Sequence, residues 1–220
     1  CRDGSRHWIV TDESWKTTLA SPILGSDIIR GEIYDARFEL PGWDLPDFRD
    51  DFWKPVETLP FGSEQLVAQP NEPIRITQEL RPIAITEPQP GTYVFDMGQN
   101  LVGWCRLRID ANAGRTIQLR HAEVLNPDGT IYTKNLRDNN AKDPVDYQKD
   151  IYICRGGRET FEPHFTYHGF RYVEVTGLLR KPSLRDLTGC VIHSDAPAAG
   201  TFACSDSRLN RLMSNILWTQ

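Results

Sequence analysis

His164 and His168 stand four residues apart and are the first pair in this chain whose types and spacing suggest chemistry. On a helix, that spacing lets two imidazoles chelate one zinc ion. Here Phe165, Tyr167, Phe170 and Tyr172 interleave with them and point to β structure. Strand residues four apart lie roughly 13 Å from each other, too far to share an ion, so no metal is assigned. His121-Ala-Glu123 matches half of a zinc-deaminase signature, but the second half, Pro-Cys-x-x-Cys, is missing. His121 therefore reads as a structural histidine on a strand face. Gly98-Gln-Asn-Leu-Val-Gly103 has the outline of a phosphate-binding loop without its closing Lys-Ser/Thr, and a turn or bulge is expected there.

Carboxylates are numerous, from Asp27, Glu32 and Asp35 through Asp96 and Glu123 to Asp143 and Asp146. A glycosidase needs two of them facing each other across a sugar, and sequence spacing does not pair them. No nucleophile elbow, nucleophile–base set or dinucleotide fingerprint is present. Aromatic side chains are the remaining candidates. Trp43, Trp53 and Trp104 could stack against the C–H face of a sugar, with core or inter-domain packing as the competing role for each.

The elements that would position these residues are mostly strands. In LVGWCRLRID, Cys105, Leu107 and Ile109 alternate with Trp104, Arg106 and Arg108, and in RTIQLRHAEV, Ile117, Leu119 and His121 alternate with Gln118 and Arg120. Each is a half-buried strand, and with the NAGR turn between them the pair predicts a hairpin. DIYIC and FRYVEVT carry apolar residues on both faces, as central strands of a sandwich do, and RDLTGCVIHS adds another. HWIV (7–10) and ARFEL (36–40) also look like strands, with one helical turn around Trp53. Pro70, Pro73, Pro82 and Pro88 confine the runs LVAQ, IRIT and RPIAIT to edges, strand starts or linkers. NPDG (126–129) is a turn, and 133–150 reads as a long exposed loop.

SDSRLNRLMSNILW (205–218) is different. Leu209, Leu212, Met213, Ile216 and Leu217 fall on one helical face, with Ser205 at the cap position. That face needs a partner. The helix reads as the opening of a further domain, and Cys1 in place of an initiator Met reads as an internal start.

Composition bounds the rest. The chain has 220 residues, 39% hydrophobic, net charge −5, with 15 prolines and 10% aromatics. This suits one large or two small β-rich globular domains. No apolar run approaches the roughly 20 residues that span a bilayer, and nothing basic suggests nucleic acid. Cys1, Cys105, Cys154, Cys190 and Cys204 form no C-x-x-C pair, and no N-x-S/T acceptor occurs. Buried thiols in a reducing, cytoplasmic setting are the expectation, with localisation left open.

Three segments together carry a resemblance: DMGQNLVGWCRLRI (96–109), LRHAEVLNPDGTIYTKNLR (119–137) and FTYHGFRYVEVTG (165–177). They resemble bacterial α-L-rhamnosidases of glycoside hydrolase family 78, as do GEIYDARFELPGW (31–43), DDFWKPV (50–56) and HSDAPAAGTFACSDSRLNRLMSNILWTQ (193–220). The match keeps segment order almost from end to end.

The resemblance implies a mainly β chain of two β-sandwich modules of jelly-roll or concanavalin-like type, then the first helix of an (α/α)6 barrel. Residues 1–64 would be the C-terminal part of one sandwich, 65–195 the central concanavalin-like sandwich, and 196–220 the linker and first barrel helix. The parent enzyme would hydrolyse terminal α-L-rhamnosyl residues of glycosides or polysaccharides with inversion, without a cofactor. Its catalytic carboxylates would lie beyond Gln220, so no catalytic, cofactor or metal residue is assigned here. This chain would be the scaffold packing on the barrel. The alternatives are a carbohydrate-binding sandwich using Trp43 and Trp104, or an interaction module with no sugar role. An isolated chain would also aggregate more than one ending near Asp195.

Overall fold

A computed structural model describes residues 3–59, 67–136 and 147–219. Among the described residues there are twelve strands: β1 (Lys16–Thr17), β2 (Ile23–Asp27), β3 (Gly31–Asp35), β4 (Lys54–Pro55), β5 (Ile74–Leu80), β6 (Ala84–Gln89), β7 (Thr92–Ala111), β8 (Thr116–Ala122), β9 (Lys149–Ile153), β10 (Gly157–Phe161), β11 (His168–Thr176) and β12 (Leu187–Ser194). One α-helix, α1, spans Ser207–Thr219. The chain is mainly β, as its alternating runs imply.

Contacts divide the chain into two units, Cys1–Ser21 with Phe38–Ala68, and Pro22–Arg37 with Gln69–Gln220. The boundary expected after residue 64 falls outside the described residues. Residues 22–37 join the larger unit because β3 pairs in parallel with β9, Ile33 opposite Ile151 and Tyr34 opposite Tyr152.

The smaller unit holds one two-stranded sheet, β1 with β4, among the described residues. Lys16 Nζ bonds Asp50 at 2.7 Å, and Phe48 meets Phe52 and Trp53 edge-on. Two expected strands are corrected. HWIV has no regular structure, with Trp8 87% exposed, and residues 36–38 form a 3-10 turn. An apolar run becomes a strand only where a partner edge is available, and none pairs with residues 7–10 among those described.

In the larger unit, strand order is β2-β3-β9-β8-β11-β7-β12-β5, with β6 and β10 also on β7. The 20-residue β7 is the spine. Its first part pairs with β6 and β11, and its second part with β12 and β10, so it passes from one layer of the sandwich to the other. The alternation read from sequence holds: Cys105, Leu107 and Ile109 are buried, as are Ile117, Leu119 and His121. Phe95, Phe161, Phe170, Val173 and Leu187 complete the core.

The hairpin expectation does not hold. β8 pairs with β11 and β9, not with the end of β7. The turn at 112–115, closed by Arg115 N–H donating to the Asn112 carbonyl at 3.1 Å, carries the chain across the core instead. Alternation identifies a buried face but not the partner strand.

Among the described residues β6, with Pro88 at its register shift, pairs only with β7, and β5, preceded by Pro73, pairs only with β12. Both proline positions are edge positions, because proline cannot donate to a ladder. Helix α1 begins after Asp206, not Ser205: Asp206 Oδ1 accepts the Arg208 N–H at 2.9 Å. Asn210 clasps the preceding strap, donating to the Cys204 carbonyl at 2.7 Å and accepting its N–H at 2.9 Å.

Candidate functional site

Among the described residues of the larger unit, one polar cluster is wholly buried. The inward alternation of β8 ends on His121 where an apolar residue would be expected, and β9 contributes Asp150 and β11 contributes His168. His168 Nε2 lies 3.0 and 3.1 Å from the two Asp150 oxygens. Asp150 Oδ1 also accepts the Glu32 N–H at 2.9 Å, which ties β3 to this cluster. His121 Nδ1 donates to the Gln148 carbonyl at 3.1 Å, and the two imidazoles stack with centroids 4.2 Å apart.

Burial, reinforced by neighbouring His168, pushes His121 down to about 3, so its ring is neutral at physiological pH. Burial works to raise the Asp150 carboxyl. The hydrogen bond from His168, with help from the Glu32 N–H, outweighs it and holds Asp150 below the usual range.

Three further buried carboxylates hold backbone. Glu32 Oε2 accepts the N–H groups of His164 and Phe165 at 3.0 and 3.1 Å. Glu159 takes the Tyr152 hydroxyl at 2.7 Å and the N–H groups of Arg155 and Gly156 at 3.0 and 2.9 Å. Asp35 forms a fork with Arg37 at 2.9 and 2.7 Å. Nearer the surface, Glu162 is taken by Arg106 at 2.6 Å, and the buried Glu174 faces Arg120 at 3.4 Å. These carboxylates serve as struts between strands and turns.

The sequence-derived candidates separate. His164 lies outside β11, largely exposed and stacked on Tyr34 at 6.2 Å, whereas His168 is buried. Trp43 lies in a turn of the smaller unit and is 62% exposed. Trp104 is half-buried on the outer face of β7, its indole N–H donating to Glu162 Oε1 at 2.8 Å. Cys105, Cys154 and Cys190 are the buried thiols expected, while Cys204 is exposed. Asp138, Asp143 and Asp146 lie outside the described residues, as does most of the loop expected at 133–150.

His121, Asp150 and His168 were not grouped by sequence reading, because they sit on three strands 29 and 18 positions apart (121 to 150, 150 to 168). The available signal was a histidine at an inward position after Ile117 and Leu119.

A second feature flanks α1. Trp218 packs against the sandwich core, and beside it an open groove of about 470 Å³ is lined by Ile74, Val102, Tyr167, Ile192 and Leu217. Leu209, Leu212 and Ile216 remain exposed on the helix.

Comparison with known proteins places this geometry. Residues 86–193 match the bacterial alpha-L-rhamnosidase concanavalin-like domain, and residues 1–78 match the alpha-L-rhamnosidase N-terminal domain. An α-L-rhamnosidase of Streptomyces avermitilis is 48% identical over 220 residues, covering 99% of this chain and 21% of its own length. The crystal structure of the Streptomyces avermitilis α-L-rhamnosidase complexed with L-rhamnose superposes with a TM-score of 0.90 at 47% identity, over 99% of this chain and 21% of that one. The α-L-rhamnosidase from Dictyoglumus thermophilum also gives 0.90, at 42% identity, over 99% of this chain and 24% of its own. The chain thus spans about a fifth to a quarter of the length of these relatives. It belongs to the bacterial α-L-rhamnosidase family, of which it carries the N-terminal and concanavalin-like domains.

Proposed function

We propose that this chain is the non-catalytic β-sandwich scaffold of an enzyme that hydrolyses terminal α-L-rhamnosyl residues. The division into a sandwich part at 1–64, a concanavalin-like part at 65–195 and a linker with a first barrel helix at 196–220 belongs to the same reading. The observation that carries it is the use of the buried carboxylates. Glu32, Asp35, Asp150 and Glu159 are each engaged by backbone or side-chain donors and closed off from solvent. Inversion needs two solvent-reachable carboxyl groups roughly 6.5–9.5 Å apart with a water between them, and groups committed to struts do not supply them. The exposed apolar residues of α1 supply a face on which a helical catalytic domain can pack.

The test is turnover of an aryl α-L-rhamnoside by the purified 220-residue chain. No release above a host-lysate blank is expected, and sustained turnover would overturn the scaffold reading. A second reading, sugar binding, draws on the exposed Trp43. It predicts a saturable tryptophan-fluorescence shift with L-rhamnose that Trp43→Ala or Trp104→Ala abolishes. A flat titration leaves the scaffold alone.

A further inference from the structure

We propose that His121, Asp150 and His168 form a buried binding site for a divalent transition metal of the zinc class. One ligand atom from each residue lies within 4.8 Å of the others, and all three side chains are buried. The 3.0 Å between His168 Nε2 and Asp150 Oδ2 is compatible with a hydrogen bond. Two adjacent ligands on one tetrahedral ion with bonds of roughly 2.0–2.2 Å stand about 3.3–3.6 Å apart, so this pair opens by a few tenths of an ångström when an ion replaces the shared proton.

The surroundings point the same way. His121 Nδ1 is held by the Gln148 carbonyl, which fixes the tautomer and leaves Nε2 with its lone pair. A backbone carbonyl on the far nitrogen is the usual support of a metal-bound imidazole. His121 Nε2 has no hydrogen-bond partner. A buried polar atom without a partner calls for an ion or a water, and two imidazole nitrogens beside a carboxylate favour a borderline transition metal over Ca²⁺ or Mg²⁺. The stacked rings, 28° from parallel, must rotate for their lone pairs to converge, so metal uptake perturbs the imidazole resonances of both histidines.

The site is independent of the proposed function, and its readout is not activity. The untagged chain is dialysed against Zn²⁺, returned to metal-free buffer, and assayed for bound metal and thermal stability. Co²⁺ is substituted for its absorption. The expected result is about one ion per chain, a tetrahedral Co²⁺ spectrum and a higher Tm than with chelator. His121→Gln and Asp150→Asn should each weaken binding at least about tenfold. His164→Ala and Cys204→Ser, at an exposed imidazole and an exposed thiol, should leave it unchanged. A folded wild-type chain that retains no Zn²⁺ overturns the proposal without recourse to any variant. Full occupancy surviving in folded His121→Gln, or lost in Cys204→Ser, overturns its location.

Discussion

Arg171 grips Asp96 through both carboxylate oxygens, Nε to Oδ1 at 2.8 Å and Nη2 to Oδ2 at 2.9 Å, at the point where the pairing of β11 with β7 slips. Phe170 faces Leu101 but Tyr172 faces Asp96, so residues 97–100 of β7 are left out of this ladder. Asp96 Oδ1 also accepts the Gly98 N–H at 2.7 Å, inside that excursion. One carboxylate therefore fastens the bulge from within and from across the sheet. Bulges of this kind re-aim a strand, and here the bulge lies where β7 moves between layers.

Acid should loosen this fastening. The Arg171 hydrogen bonds lead in holding Asp96 below its ordinary 3.8, with smaller help from the Gly98 N–H and the guanidinium charge. A carboxyl whose folded value is depressed contributes stability that is complete above the unfolded value and is lost as pH falls through the folded one. The Asp96 contribution should thus be intact above about pH 4 and vanish below it. Because the Arg171 side chain is 39% exposed, a double-mutant cycle of Asp96→Asn and Arg171→Gln should give a coupling of only about 1 kcal/mol at pH 7. Chemical denaturation at pH 7 and pH 3 checks both. Equal coupling at the two pH values would contradict it.

Glu174 should behave in the opposite sense. Burial raises its carboxyl above the ordinary 4.5, and Arg120 at 3.4 Å offsets this only in part. A raised folded value means that the charged form is penalised on folding, so this group's contribution improves as pH falls toward the folded value. Glu174→Gln removes the penalty. At pH 7 the variant should be as stable as the parent or more stable by up to about 1 kcal/mol, with the difference fading at pH 4. A loss of more than about 1 kcal/mol in urea denaturation would mean that the Arg120 pair dominates.

What the chain disclosed in advance follows from what alternation encodes. The inward sets on β7 and β8 were legible because period-two burial is written into neighbouring residues. Partnership was not: the 112–115 turn looked like a hairpin, yet its strands diverge across the core because β11 and β9 offer β8 better edges. HWIV failed for the same reason in reverse, being apolar without a partner edge. The buried cluster depends on three strands meeting, and no local pattern records that meeting.

Two glycines should resist substitution for backbone reasons. Gly103 has φ +155° and lies against the Cys190 carbonyl, and Gly177 has φ +89° and lies against the Thr116 carbonyl. A Cβ at either would overlap a backbone oxygen that cannot turn aside. Alanine at either position should cost more than about 2 kcal/mol or prevent folding. Gly169, on β11, has open space where its Cβ would sit and no left-handed φ. Gly169→Ala should change stability by less than about 0.5 kcal/mol. Thermal melts of the three variants, with soluble yield as the second readout, check the contrast. A Gly103→Ala chain as stable as Gly169→Ala would show that the β7–β12 ladder can shift.

The helix divides its apolar residues between two tasks. Trp218 packs on the sandwich core, while Leu209, Leu212 and Ile216 face solvent. Removing everything after Asp195 would uncover the surface under Trp218 as well as delete the sticky face, so truncation does not isolate the latter. Replacing Leu209, Leu212 and Ile216 together with Gln does. Exposed positions contribute little to folding, and Gln is a good helix former, so Tm should move by only a few degrees while solubility rises. Light scattering against concentration measures the effect. Undiminished self-association in the triple variant would move the source of stickiness to the groove around Val102 and Tyr167. A collapse in Tm would mean that the three side chains are buried in solution against something this chain itself provides.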